Sequence, residues 1–408
     1  MKTWKDRVKG DYSDVRGVHH GWRRGVDIEQ IEKELKIAHE KLGINSVRCG
    51  IFERMWIEDP EGSEKRFLEY VHLLQKYDMT FTCTLSSGNM YFEYESLNEQ
   101  QWEEKRRYLQ RMVDLVGKEP NLLMWDAYNE PFCNEYLYSV KDKDPEEYKI
   151  RYNKIRADLR KQVQMLREMD DDTPITVGHE RMEHLESTND LVDVIAIHDY
   201  LTTRREVEEV YAFAKKCSEE QGGKPVVNNE MGCIGRANPY EIELEMCQKY
   251  NFGYYIFNLI IEGFWGPLHG IMYPDGTVRD PSIVAAIMGF YRNRTETRIL
   301  PQGNREQYAQ KAINRVKDAL AIRGIESLFL KKLAPVDEIL DAAENCINIL
   351  ECCEIVPMDN PPSVKLFAYR KLSNEEKEAA REEIRAFAYK QAKILMEYYS
   401  LFDDPKGF

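Results

Sequence analysis

Long apolar runs are missing from this chain of 408 residues. No stretch approaches the roughly 20 apolar residues that a bilayer-crossing helix needs, so no membrane partner is expected. An excess of positive charge is missing too: 57 lysines and arginines stand against 71 aspartates and glutamates, a formal net charge of −14. Phosphate backbones are bound by basic surfaces, so no nucleic-acid partner is expected. No apolar core follows the opening Met1–Arg7, so a secretory leader is not expected either. Paired cysteine clusters are absent: the nine cysteines are scattered, and adjacent Cys352 and Cys353 have no second pair with which to build a zinc site. They read as reduced thiols of a cytoplasmic protein. No repeat at solenoid spacing and no low-complexity tract appears. What remains is a globular composition, 43% hydrophobic and 31% charged, with length for a large domain and an appendage.

Eight short, nearly continuous apolar runs punctuate the first ~290 residues: Arg16–Trp22, Ser46–Phe52, Met79–Leu85, Leu122–Tyr128, Ile175–Gly178, Val192–His198, Pro225–Asn229 and Gly253–Leu259. Such runs fit parallel strands covered on both faces. Amphipathic stretches separate them. Asp27 and Gln30 form a capping-box pattern, and Ile28, Ile31, Leu35, Ala38 and Leu42 follow at helical spacing up to a stop at Gly43. Further helices are expected with Phe67, Val71 and Leu74 on one face, and over 98–117, 144–169, 206–219, 241–250 and 281–291. Eight strands alternating with helices predict a (β/α)8 TIM barrel over residues 1–294. A doubly wound sheet would need a Gly-rich phosphate-cradling first turn, and Gly17–Gly21 offers none. Beyond residue 294 the pattern changes to three long helical stretches, so a helical C-terminal domain is expected over 295–408, able to pack on the barrel or to mediate a homo-oligomer.

In a barrel, chemistry sits at the C-terminal ends of the strands. The fourth run ends Tyr128-Asn129-Glu130-Pro131 and the seventh ends Asn228-Asn229-Glu230. Strands four and seven stand on roughly opposite sides of an eight-membered ring, so Glu130 and Glu230 can face each other across the mouth. Two facing carboxylates, one protonated and one ionised, are what glycosidic cleavage needs. Each taken alone has a plainer explanation, since Glu before Pro can simply end a strand. The ordered pair on a counted barrel is the stronger signal.

The stretch Trp125-Asp126-Ala127-Tyr128-Asn129-Glu130-Pro131, with Glu230 closing a later strand, resembles clan A of the glycoside hydrolases, and family 5 (cellulases, mannanases and relatives) in particular. Arg16–Gly21 and Leu42–Arg48 are similar to the first two barrel strands of such enzymes. Gly270–Pro281 is similar to the loop after their last strand. The resemblance covers about residues 14–292. It implies a retaining β-glycosidase acting on a carbohydrate substrate, with Glu130 as acid/base and Glu230 as nucleophile. It further implies that Asn129 binds the hydroxyl beside the anomeric carbon. Tyr200 would donate to Glu230, His198 would line the subsite and tune the acid/base, and Arg48 would hold Glu230 from below. For Arg48 the plainer reading is a buried salt bridge, and for His198 a satisfied core histidine. Relatives often carry a tryptophan platform on the last strand. Here Phe257 stands in that stretch, unless Trp265 swings in.

His19 and His20, at the end of the first strand, are candidates for sugar hydroxyls. Glu180 is the rival carboxylate. Tyr91, Phe92 and Tyr94 after the third strand, and Phe132, Tyr136 and Tyr138 after the fourth, are candidate stacking faces. No cofactor and no metal are expected. A metal-dependent barrel enzyme would need ligands on neighbouring strands, and the two glutamates are expected to stand too far apart for that. A catalytically impaired carbohydrate-binding barrel is the remaining alternative. Without a leader, the expected substrates are oligosaccharides or glycosides small enough to enter the cell or made there.

Overall fold

The computed structural model describes residues 11–289, apart from positions 24, 88–96, 142, 237, 264 and 267 and the side chain of residue 54. The helical domain expected over 295–408 lies outside the described residues, as do Tyr91, Phe92 and Tyr94. The chain divides into two compact units. The first contains Pro239–Glu262 and everything described before Cys233 and after His269. The second includes the short segments Cys233–Asn238 and Gly263–His269.

The first unit is the barrel. Strands β1 (Arg16–His19), β2 (Ser46–Cys49), β3 (Thr80–Thr84), β4 (Leu122–Asn129), β5 (Ile175–His179), β6 (Ile195–Asp199), β7 (Val226–Met231) and β8 (Gly253–Ile256) pair in chain order. β8 closes back on β1 in parallel. All eight expected strands are therefore present. β1, β2 and β8 end three residues earlier than their apolar runs, because chain that has passed the barrel rim no longer meets a neighbour for ladder hydrogen bonds.

The helices are α1 (Ile28–Leu42), α2 (Glu53–Glu58), α3 (Pro60–Lys76), α4 (Glu99–Val116), α5 (Glu135–Lys141), α6 (Pro145–Met169), α7 (Arg204–Glu220), α8 (Tyr240–Tyr250) and α9 (Pro281–Ile287). Their ends follow side-chain chemistry. Asn98 and Gln101 cap α4 reciprocally, as do Thr203 and Glu206 on α7. Gly43 ends α1 at φ 67°, a left-handed turn that a Cβ would disfavour. The capping box expected on α1 is only half made: Asp27 accepts from the Gln30 backbone, but the Gln30 side chain donates to Glu34 and to the Pro274 carbonyl. Between β5 and β6 stands only a 3-10 turn, Met182–Ser187.

The barrel interior is filled by side chains and polar bridges. Tyr255 of β8 is fully buried, and its hydroxyl lies 2.8 Å from both Ser46 Oγ of β2 and Thr82 Oγ1 of β3. That hydroxyl ties three strands at one level. We expect Tyr255→Phe to lower the unfolding free energy by ~1–3 kcal/mol, because two buried hydroxyls lose their shared partner. Urea denaturation measures this, and unchanged stability would show that Ser46 and Thr82 satisfy each other.

Candidate active site

Six strands deliver polar side chains to the C-terminal mouth of the barrel. On β4 the register shifts between Asp126 and Asn129, so the strand bulges where it leaves the ladder. Glu130 follows at φ 51°, unusual for a residue with a Cβ. Its N–H donates to the Gly178 carbonyl of β5 at 2.9 Å, which fixes the turn. Glu230 stands near the end of β7, across the mouth.

Arg48 of β2 lies between them. Its Nε donates to Asp126 Oδ2 at 2.8 Å, and its Nη2 to the same oxygen at 2.5 Å and to Asn129 Oδ1 at 2.6 Å. Its Nη1 donates to Glu230 Oε2 at 2.8 Å. Arginine can only donate, so the Asn129 atom facing it is the carbonyl oxygen. The Asn129 amide N–H groups are thereby turned away from Arg48 and available to a ligand. Thr84 also donates to Asp126, at 3.1 Å.

Glu230 is held from its other oxygen by the Tyr200 hydroxyl at 2.8 Å. His198 Nδ1 stands 2.7 Å from Glu130 Oε1 and 3.9 Å from Glu230 Oε2. Burial, and then the charge of Glu230, push the Glu130 carboxyl above its ordinary value, against the pull of His198. Burial alone would raise Glu230 as well. The charges of His198, His19 and Arg48 and the Tyr200 bond together outweigh it and hold Glu230 well down. His19 is itself pressed to about 3 by burial and Arg48, so it is neutral at neutral pH, and the hold on Glu230 falls to the other three. The two carboxyls are thus driven apart, one toward the acid and one toward the carboxylate. Burial alone would lower His198, but the Glu230 charge and the Glu130 bond raise it. Both shifts favour a proton held by the His198–Glu130 pair.

Of the residues singled out in the sequence, Glu130, Glu230, Asn129, Arg48, His198 and Tyr200 come together in one cluster. His20 does not join them. It lies between Tyr70 of α3 (2.8 Å from Nδ1) and Glu34 of α1 (2.8 Å from Nε2), on the helix side of the barrel. Successive residues leaving a strand alternate faces, and it is His19 that turns inward. There His19 Nε2 donates to the Asn229 carbonyl at 2.8 Å, and its ring packs edge-on to Phe257 at 4.8 Å. Trp265 belongs to the second unit, where it packs edge-on to His269 at 5.9 Å. Glu180 pairs with His184 Nδ1 at 2.9 Å, beside Tyr138. Phe132 is fully buried, packed on Tyr152 and His184, and offers no stacking face.

The separation expected to prevent metal sharing is not found. Single ligand atoms of Glu130, His198 and Glu230 all lie within 4.8 Å of one another, because the side chains lean inward across the mouth. His198 Nδ1, Glu130 Oε1 and Glu230 Oε2 are already engaged by the His198–Glu130 and Arg48–Glu230 bonds. The Arg48 guanidinium would also stand beside any added cation. Asp126 was not singled out in the sequence, although a carboxylate inside the apolar run Leu122–Tyr128 requires a buried cation. Arg48 is the matching charge, in the apolar run of β2.

A family model for Cellulase (glycosyl hydrolase family 5) matches residues 7–262. No curated protein matches the chain. Among solved structures, one described as a glycoside hydrolase superposes with a TM-score of 0.51 at 16% identity, covering 70% of this chain and 100% of that one. A GH5-4 broad specificity endoglucanase from an uncultured bacterium gives 0.51 at 11% identity, covering 70% and 97%. One from Clostridium acetobutylicum gives 0.50 at 13%, covering 67% and 96%. At these identities the likeness is one of fold.

The Arg48 cluster has a testable energetic consequence. Glu230, held below its ordinary value, contributes stability that is present above its unfolded pKa and lost as pH falls through the folded one. Without the cation the sign reverses, because a buried, unpaired carboxylate is stabilised by taking up a proton. We expect Arg48→Met to cost ~3–5 kcal/mol at neutral pH. The deficit should shrink below about pH 5 as the stranded Glu230 carboxylate protonates. Urea titrations at the two pH values measure it, and an equal deficit at both would refute the charge argument.

Proposed function

The chain belongs to glycosyl hydrolase family 5, and we propose that this glycosidase cleaves β-type bonds of oligosaccharides or glycosides in two steps, with retention at the anomeric carbon. The observation that carries the reading is the facing pair Glu130 and Glu230, with oxygens within 4.8 Å and pKa values driven in opposite directions. Retaining enzymes place their carboxyls about 5–5.5 Å apart, and inverting enzymes about 6.5–9.5 Å, to admit a water.

In the first step Glu230 attacks the anomeric carbon while Glu130 gives its proton to the departing oxygen. The products are a glycosyl ester on Glu230, the freed alcohol, and an ionised Glu130. In the second step Glu130 takes a proton from water, whose oxygen displaces Glu230 from the anomeric carbon. Both residues return to their starting states. Glu130 Oε1 is occupied by His198, so Oε2 is the oxygen left to carry the transferred proton. Arg48 and Tyr200 hold Glu230 ionised and oriented before attack. The Asn129 amide, set by Arg48, donates to the hydroxyl beside the anomeric carbon, where hydrogen bonds strengthen in the transition state.

A panel of aryl β-glycosides and β-linked oligosaccharides tests this. Glu230→Ala should be inactive, and added azide should restore turnover with an α-glycosyl azide as product. Glu130→Ala should lose roughly 10²–10⁴-fold on poor leaving groups and far less on activated ones. Inverted product from the wild type, seen by NMR, would rule out the two-step path. Sugar binding without turnover of any substrate would favour a binding barrel.

The pH profile of kcat/KM should be a bell. Its acid limb, set by ionisation of Glu230, is expected below the ordinary carboxylate range. Its alkaline limb, set by loss of the proton held by Glu130 and His198, is expected above it. Loss of the acid limb's low position in Arg48→Lys would tie that limb to Glu230, and an unmoved limb would assign it elsewhere.

A further inference from the structure

We propose that Gly178 of β5 is a positioning residue of the active site: its missing side chain is the space in which the His198 imidazole lies against Glu130. The inference rests on the reading of Glu130 as the proton donor. Four site residues converge on this glycine. Its carbonyl accepts the Glu130 N–H at 2.9 Å. It pairs with Asn129 on β4 and with Ala196 on β6, two positions before His198. A Cβ built on it would stand 2.5 Å from His198 Nε2, 3.1 Å from His198 Cε1 and 3.1 Å from Asn229 Nδ2.

Contacts of 2.5 Å are not tolerated, so in an alanine variant the ring must move. The His198 side chain is 99% buried, its exposed fraction being 1%. Rotation away from β5 therefore breaks the 2.7 Å bond from Nδ1 to Glu130 Oε1. That bond commits Oε1 and leaves Oε2 to the leaving group, so its loss lets the carboxyl turn. A glycine in a strand interior weakens the strand by its entropy and by what it fails to pack, and commonly marks close approach of another group. Here the group approaching is a ring that touches both glutamates.

The electrostatic consequence has a definite sign. The groups facing the ring are Glu130 just past β4, Glu230 on β7, Arg48 on β2, and the neutral His19 and His179 on β1 and β5. The ring draws both glutamates downward. Displacing it lets both rise, so both limbs of the activity profile move to higher pH.

The test compares Gly178→Ala, His198→Ala and the double variant. In the wild type, the Glu130-bonded Nδ1 proton of His198 should give a downfield imidazole resonance, identified by its loss in His198→Ala. Gly178→Ala should lose it too, while circular dichroism shows the fold retained. Its kcat/KM should fall about 10- to 100-fold on a poor leaving group and no more than about threefold on dinitrophenyl glycosides. Both pH limbs should move upward. Added to His198→Ala, where the ring is gone and only the 3.1 Å approach to Asn229 Nδ2 remains, the same substitution should cost little further. Should Gly178→Ala not fold, the double variant should fold, because the clash has been removed; a double variant that also fails to fold overturns the proposal. A retained resonance, an unchanged dependence on leaving group, or losses that add in the double variant overturn it as well. Failure of the proton-donor reading appears separately, as a Glu130→Ala variant indifferent to leaving group, and the resonance measurement does not depend on turnover.

Discussion

The site depends on one buried cation. The Arg48 guanidinium reaches Asp126, Asn129 and Glu230 from a single position on β2, and so fixes groups on β4 and β7 relative to each other. A lysine has one donor centre on a flexible stem and could not hold three acceptors lying in different directions from a planar fork. The arrangement is also required for stability. Two carboxylates inside a barrel would be intolerable without a cation, and the cation would be intolerable without them. Orientation of Asn129, ionisation of Glu230 and burial of Asp126 are three consequences of the same set of bonds.

Around that fixed centre the two glutamates are made different by their neighbours. Glu230 has a guanidinium on one oxygen and a phenol on the other. Glu130 has only an imidazole, itself shared with the field of Glu230. Both are about equally buried, at 8% and 9% exposure, so burial cannot separate their roles. The partners separate them. His198 lies between the two and is the element through which a change at either carboxyl is felt by the other, which is why the empty volume at Gly178 bears on both.

Much of this was legible in the chain. Parallel strands covered on both faces must be apolar almost throughout, and each of the eight runs from Arg16 to Leu259 became a strand. Caps such as Asn98 with Gln101 and the stop at Gly43 depend only on residues a few positions apart. The polar residues closing the fourth, sixth and seventh runs, Asn129, Glu130, His198, Tyr200 and Glu230, converge because ring order follows chain order. Asp126 could have been found as a charge inside an apolar run. Other details depended on distant partners. Gln30 left its expected cap for Glu34 and the Pro274 carbonyl. His20 went to Tyr70 and Glu34 rather than to the mouth.

The sequence by itself determined the strand count, the ring order and the identity of the two facing glutamates, because these follow from local periodicity and from which residue ends each run. The tertiary structure alone decided how near the glutamates stand, which histidine turns inward, and which oxygen of each carboxyl is already taken. Those are distances between side chains far apart in the chain, set by strand register, by the bulge after Asp126 and by a backbone turn at φ 51° on Glu130. No pattern within a single segment carries that information, because each partner in those contacts arrives on a different strand.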